Sequence, residues 1–382
     1  MTRVLVIHNR YRVHGGEERA VELQLEALRQ AGVEHRALVR DSADTGRMRA
    51  ASSLLRGGLD PAEVGDAVRS LGADVVHAHN MQPLFGPRAL AAARDAGARV
   101  VLHLHNFRLF CAIGVAFRLG EPCFRCHHGR TLPGLALNCR RSWPEAAVYA
   151  AALRRQYPDV LEVVDRFVAP SRYATGQLER LGVPGVRLEA LPHHLPDEAF
   201  AARSQAAEGE YALVAGRLAQ EKGIETAIDA AGLAGVPLKV AGDGPLLEPL
   251  RERARLAAAP VEMLGRVPHD ELARLLRHAA VVLVPSRSDE SFGLSALEAM
   301  GAGVPVVATR AGALVELLGE ERCVPRHDPS AMVARLGELW RDPGLRADEG
   351  AALLERARAS YGRERYTRAL LDLYARVVEL GS

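Results

Sequence analysis

The sequence predicts an α/β protein built from two doubly wound parallel-sheet halves, and three observations carry that prediction. Short apolar runs alternate with helical patterns along most of the chain, as in sheets whose parallel strands are joined by helices. The alternation breaks between about Leu181 and Gly209, where Gly182, Pro184, Gly185, Pro192 and Pro196 gather, and then restarts. The chain has 382 residues, more than one hydrophobic core usually serves.

In the first half, strands are predicted at 4–8, 35–39, 74–79, 99–105 and 167–171, with a helix opening at Gly15-Gly16-Glu17-Glu18 and running to about residue 30. In the second, strands are predicted at 211–216, 238–241, 262–264, 281–285 and 304–308, with helices between. Residues 363–380 form an amphipathic helix. The predicted domains are 1–185, with a cysteine-bearing loop at 107–156, a linker at 186–209, a second domain at 210–360, and a terminal helix at 361–382.

Composition is that of an ordinary globular protein, 48% hydrophobic and 25% charged, and the net charge of +2 implies no general affinity for polyanions. No apolar run approaches the roughly 18–20 residues that cross a bilayer, and the N-terminus lacks a signal-peptide core, so a cytoplasmic location is expected. Only Lys222 and Lys239 are lysines among many arginines, which draws attention to Lys222 inside a glycine-bounded turn.

The segment Asp289-Glu290-Ser291-Phe292-Gly293-Leu294-Ser295-Ala296-Leu297-Glu298 holds two glutamates eight positions apart, across a predicted strand-to-helix turn. Phe292, Gly293 and Leu294 lie at the helix N-terminus, where free N–H groups and the helix dipole favour an anion. Glu290 precedes that N-terminus and Glu298 lies one turn inside it. Both lean toward it, placed to accept hydrogen bonds from hydroxyls. A phosphate flanked by two sugar rings suits this pattern.

The segment resembles the Glu-x7-Glu motif of retaining glycosyltransferases of family 4, which have the GT-B fold: two Rossmann-like domains facing across a cleft, with a C-terminal helix crossing back to the first. Gly216-Arg217-Leu218-Ala219-Gln220-Glu221-Lys222-Gly223, Ala241-Gly242-Asp243-Gly244-Pro245 and Ala299-Met300-Gly301-Ala302-Gly303-Val304-Pro305 also resemble family signatures, in the family's order. The resemblance implies that Arg217 and Lys222 hold the diphosphate of a UDP- or GDP-sugar donor. It also implies that Glu290 accepts from the transferred sugar, and that Glu298 accepts from the ribose. Arg266 and Val267 would contact the base, while Gly242, Phe292, Gly293 and Leu294 would line the donor. His105 maps to a histidine near the donor sugar, and His103 to a structural role. Gly15 and Gly16 either approach the donor phosphate or simply start a helix. No metal is required for this chemistry.

The acceptor would be a polysaccharide, a lipid-linked glycan or a small metabolite bearing a hydroxyl. His77 and His79, in His77-Ala78-His79-Asn80, could line its pocket. Competing readings are a noncatalytic sugar-nucleotide-binding subunit, an epimerase or phosphorylase on the same fold, or a hydrolase. Nucleic-acid binding is disfavoured, since no recognition module is visible.

Cys111, Cys123, Cys126 and Cys139 follow the spacing C-x11-C-x2-C-x12-C. A Cys-x2-Cys pair with two outer cysteines suggests a structural zinc site; disulfides and free thiols stay open as alternatives. The same region holds Arg108, Arg118, Arg125, Arg130, Arg140, Arg141, Arg154 and Arg155 against Glu121 and Glu145. With Trp143 and Tyr149 nearby, that is either a surface for anionic lipid at the inner membrane face or an arginine-rich surface in an arginine-rich chain.

Overall fold

A computed structural model describes residues 2–11 and 15–380 and divides the chain into two compact units. The first comprises the chain up to Arg118, Cys123–Pro192 and the C-terminal stretch from Glu364; the second comprises Leu119–Pro122 and His193–Arg363.

The strands are β1 (Val4–Arg10), β2 (His35–Asp41), β3 (Val75–Ala78), β4 (Arg99–His103), the short β5 (Phe117–Arg118) and β6 (Glu121–Pro122), β7 (Arg166–Ala169), β8 (Leu188–Ala190), β9 (Tyr211–Ala215), β10 (Leu238–Ala241), β11 (Val261–Gly265), β12 (Ala279–Val284), β13 (Val306–Thr309) and β14 (Cys323–Val324). Two six-stranded sheets have the orders β2-β1-β3-β4-β7-β8 and β11-β10-β9-β12-β13-β14, and their pairings are parallel. β12 reads Ala-Ala-Val-Val-Leu-Val and is buried throughout, as a strand covered by helices on both faces must be.

Strand order locates the sites. In the second sheet the chain runs outward one way through β10 and β11 and the other way through β13 and β14, so direction reverses between β9 and β12. In the first sheet it reverses between β1 and β3. Crevices outside the carboxyl ends of strands at such reversals are where open α/β sheets bind ligands.

The terminal helix Arg363–Glu379 belongs to the first unit. Tyr366, Leu370, Leu373, Tyr374 and Val377 form its buried stripe against Val4, Val6, Val75 and Val101. Burying each such side chain contributes about 1.5–3 kcal/mol. The helix's two buried tyrosine hydroxyls are paired: that of Tyr374 lies 2.7 Å from His77 Nδ1, and that of Tyr366 donates to Gln24 at 2.9 Å.

Two expectations are corrected. The stretch 186–209 is not all linker, because β8 pairs with β7 as the sixth strand of the first sheet; at three residues it is too short to show a period. The stretch 107–156 is not one loop, because the helix Trp143–Val163 begins inside it, with Pro144 in its first turn, and Phe107, Phe110 and Phe117 are buried.

Candidate functional site

The loops following β9, β10 and β12 are pressed together by glycine. A Cβ at Gly242 would lie 1.9 Å from the Gly216 carbonyl oxygen, and one at Gly244 would lie 2.4 Å from that of Leu218. Backbone bonds stitch the same seam: Leu218 N–H to the Asp243 carbonyl at 2.9 Å, and Gly242 N–H to that of Gly265 at 2.7 Å. The turn Gln220–Lys222 ends at Gly223, with φ 63°, where a Cβ would meet the Pro285 carbonyl oxygen at 2.2 Å. Arg287 and Ser288 in turn donate their N–H groups to the Glu221 carbonyl at 2.8 and 3.1 Å.

This seam joins the two predicted motifs. Lys222 Nζ donates to Glu290 Oε1 at 2.7 Å, and the Ser286 hydroxyl donates to the same oxygen. Burial pushes the Glu290 carboxyl up. The charge of Lys222, the hydrogen bonds from Lys222 and Ser286, and the charge of Arg217 outweigh this and hold it below the usual carboxylate range. Glu290 is therefore ionised at neutral pH. Its backbone is fixed from the β13 side, since Ala313 N–H donates to its carbonyl at 2.9 Å. Arg217 pairs with the buried Glu221, so both predicted phosphate-binding cations already have carboxylate partners.

Phe292 is buried against His193 and Tyr361, at ring distances of 5.0 and 5.8 Å. Gly293, with φ 106°, caps the helix Leu294–Gly301 and packs so closely on Leu314 that a Cβ would sit 2.6 Å from it. Glu298 lies one turn into that helix, partly buried, with His269 Nδ1 at 4.0 Å. Val267 is partly buried and Arg266 exposed, just after β11. Sequence reasoning missed Ser286 and His269. The first was findable as a hydroxyl four residues before Glu290; the second, at a helix start three residues past Arg266, carries no comparable signal.

In the first unit, His105 Nε2 lies 2.7 Å from His79 Nδ1, and its ring stacks on His103 at 4.0 Å. His77, His79 and His103 each offer a ligand atom within 4.8 Å of the others, so these three could hold a metal ion. Burial pushes His77 down to about 3, and burial with the charge of Arg10 brings His8 to about 4, so both are neutral imidazoles at neutral pH.

The glycine pair opens the helix Gly16–Gln30 beside a carboxylate. Gly15 N–H donates to Glu18 Oε2 at 2.8 Å, and Tyr11 N–H donates to Glu18 Oε1 at 3.1 Å. The helix Gly16–Gln30 thus carries its own carboxylate where a phosphate oxygen would bind. Beside it, Glu17 Oε2 accepts from the Tyr11 hydroxyl at 3.0 Å and from Asn106 Nδ2 at 2.9 Å. Burial, aided by the charge of Glu18 and opposed by that of Arg108, pushes the Glu17 carboxyl up to about 7. Glu17, His79, His105, Asn106 and Arg108 line one pocket. Sequence reasoning did not single out Glu17 beyond its place at a helix start.

Residues 197–356 match the family model described as glycosyl transferases group 1, and residues 14–197 match the one described as Glycosyltransferase Family 4. A D-inositol 3-phosphate glycosyltransferase of Acidothermus cellulolyticus is 35% identical over 235 residues, 55% of this chain and 50% of that protein. An uncharacterized glycosyltransferase of Methanocaldococcus jannaschii is 32% identical over 149 residues, 37% of this chain and 42% of that protein. The chain spans about half or less of the length of these relatives. A sucrose-phosphate synthase structure from Thermosynechococcus elongatus is similar with a TM-score of 0.74 at 19% identity, covering 100% of both chains. The structure of Anabaena HepE in complex with UDP-glucose is similar with a TM-score of 0.69 at 14% identity, covering 98% of this chain and 100% of that one.

Proposed function

This chain belongs to the family 4 glycosyltransferases and has their GT-B fold, and on that premise we propose that it moves a hexose-type sugar from a nucleotide-diphosphate donor to a hydroxyl acceptor with retention at the anomeric carbon. The observation that carries the reading is the joint of Lys222, Glu290 and Ser286 beside the N-terminus of the helix Leu294–Gly301, at the reversal point of the second sheet. A similar structure is in complex with UDP-glucose, which supports a UDP-sugar as donor; a GDP-sugar is the alternative.

A diphosphate arriving at this joint competes with Glu290 for the Lys222 ammonium and with Glu221 for Arg217. The two carboxylates released become acceptors for hydroxyls, Glu290 for those of the sugar. Glu298 and the base-side residues Arg266 and Val267 hold the nucleoside. As the bond from anomeric carbon to phosphate oxygen breaks, negative charge grows on the phosphate, and Lys222, Arg217 and the N–H groups near Gly293 and Leu294 stabilise it. The departing phosphate takes the acceptor's proton on the same face.

A carboxylate held below its usual range is unsuited to protonating a glycosidic oxygen, which argues against a hydrolase using Glu290 as acid. For the acceptor, exposed Trp143 and Leu132, with exposed Arg130, Arg141 and Arg154 in the same stretch, favour a lipid-linked glycan at an anionic membrane surface. No described helix is long and apolar enough to cross a membrane. The test is incubation of the purified chain with UDP- and GDP-hexoses and candidate acceptors, with the anomeric configuration read by NMR. Release of nucleoside diphosphate with a new glycoside of the donor's configuration is expected; an inverted product, or consumption of inorganic phosphate, would overturn the reading.

A further inference from the structure

The four cysteines of the 107–142 segment are distant from the Lys222–Glu290 joint in sequence and play no part in the chemistry above. Cys111, Cys123, Cys126 and Cys139 nevertheless line a single cavity, walled by Phe107, Phe110 and other apolar side chains. All four are free thiols. We propose that this cavity is a metal site of the four-thiolate class, in which Cys111, Cys123, Cys126 and Cys139 bind one Zn²⁺ that staples the segment.

The surroundings suit thiolates. A Cβ at Gly134 would lie 3.4 Å from the Cys126 sulfur, so glycine lets the backbone come close. Arg118 Nη2 holds the Leu137 carbonyl at 2.7 Å. Arg118 and Arg125 both line the cavity, and two cations offset the double negative charge of a zinc held by four thiolates. The backbone brackets the ligands: Cys123 N–H bonds the Ala116 carbonyl at 2.6 Å, and Cys139 N–H bonds that of Gly134 at 3.0 Å.

The segment also needs a staple. Among the described residues, six non-glycines have positive φ, and five of them, Ala116, Leu119, His128, Asn138 and Arg141, lie within this stretch. Such conformations are strained and persist only where surrounding structure fixes them. The segment between β4 and the helix Trp143–Val163 contains just the two-residue strands β5 and β6 and the five-residue helix Leu132–Ala136. Its thiols are not drawn as tightly as the three histidines within 4.8 Å of one another. Filling the site therefore requires the cysteine side chains to rotate inward to the sulfur–metal distance of about 2.3 Å.

Zinc binding exchanges four thiol protons for four metal–sulfur bonds and transfers no electrons.

The full chain, purified under reducing conditions, is expected to carry about one zinc per molecule by elemental analysis. After chelation and Co²⁺ addition, it should show the thiolate-to-cobalt charge-transfer band and the strong visible absorption of a tetrahedral site. Cys123→Ser with Cys126→Ser should abolish both bands, while Cys323→Ser should leave them unchanged. A parent chain that binds no stoichiometric zinc or cobalt would overturn the proposal, as would a double variant with the parent spectrum or disulfides among these cysteines in freshly isolated protein. Because metal content and the cobalt spectrum are read on the parent itself, a variant that fails to fold does not obscure the outcome. Neither readout requires sugar transfer, so failure here and failure of the transferase reading are separable.

Discussion

The two sheets support chemistry in different ways. In the second, charged residues sit on loops that follow adjacent strands and meet through contacts between neighbouring loops: glycine against carbonyl, lysine against glutamate. In the first, histidines from β3 and β4 pile into a buried stack, and the partners that orient them come from far along the chain, such as Tyr374 on His77. The second arrangement can be tuned locally, because its geometry is fixed by the sheet. The first depends on the terminal helix being docked.

The largest expected effect falls on the second sheet. Lys222→Ala removes the ammonium that neutralises Glu290 and, in the proposed reaction, the leaving phosphate. Loss of one preorganised group of this kind costs roughly 3–4 kcal/mol in the barrier, or about 10²–10³-fold in kcat. Donor turnover by coupled nucleotide release would measure it. Arginine at the same position should recover little, since its planar fork differs from a compact ammonium. Turnover within threefold of the parent would dissolve the distinction drawn between the sheets.

Next in size is Gly223→Ala. The added methyl meets the Pro285 carbonyl at 2.2 Å, at a backbone with φ 63°. Strain of this kind costs of order 1–3 kcal/mol and should appear as a lower midpoint in denaturant. Since the clash is with backbone, relaxation means parting the loops after β9 and β12, which also pulls Lys222 from Glu290. Stability and activity should therefore fall together.

How much could be seen in advance follows from the same contrast. The strands of the second sheet, its glycine turns and the pair Glu290 and Lys222 were legible, because burial on both faces writes continuous apolar runs and close approach demands glycine. What spacing does not reveal is that Lys222 and Glu290, separated by 68 positions, bond each other directly. The three-residue β8 and the two-residue β14 have too few side chains to print a pattern. Glu17 looked like an ordinary first-turn acid. Its altered chemistry comes from burial, which raises the carboxyl against the opposing pull of Arg108 and Asn106 about ninety positions away, and no local pattern records such surroundings.

Glu17 and Glu290 make the comparison measurable with pH, because their environments push in opposite directions. Glu290 is held below its ordinary value, so its contribution to stability is present above the unfolded pKa and is lost as pH falls through the folded one. Glu17 is pushed from 4.5 up to about 7. Between those values the folded chain holds a proton that the unfolded chain has released. The contribution is then fully present below pH 4.5 and disappears as pH rises through about 7. Glu17→Gln keeps an oxygen that accepts from Tyr11 and Asn106 but cannot ionise. Denaturant unfolding of parent and variant across that window should show the parent losing roughly 1–3 kcal/mol that the variant keeps, discounted from the full shift for partial solvent access. Glu290→Gln should instead lower stability above the acid limb and flatten that limb, where the parent loses the same contribution. Parallel curves for parent and Glu17→Gln would mean that solvent reaches Glu17 freely, and that the pocket of the first sheet is no more insulated than the open loops of the second.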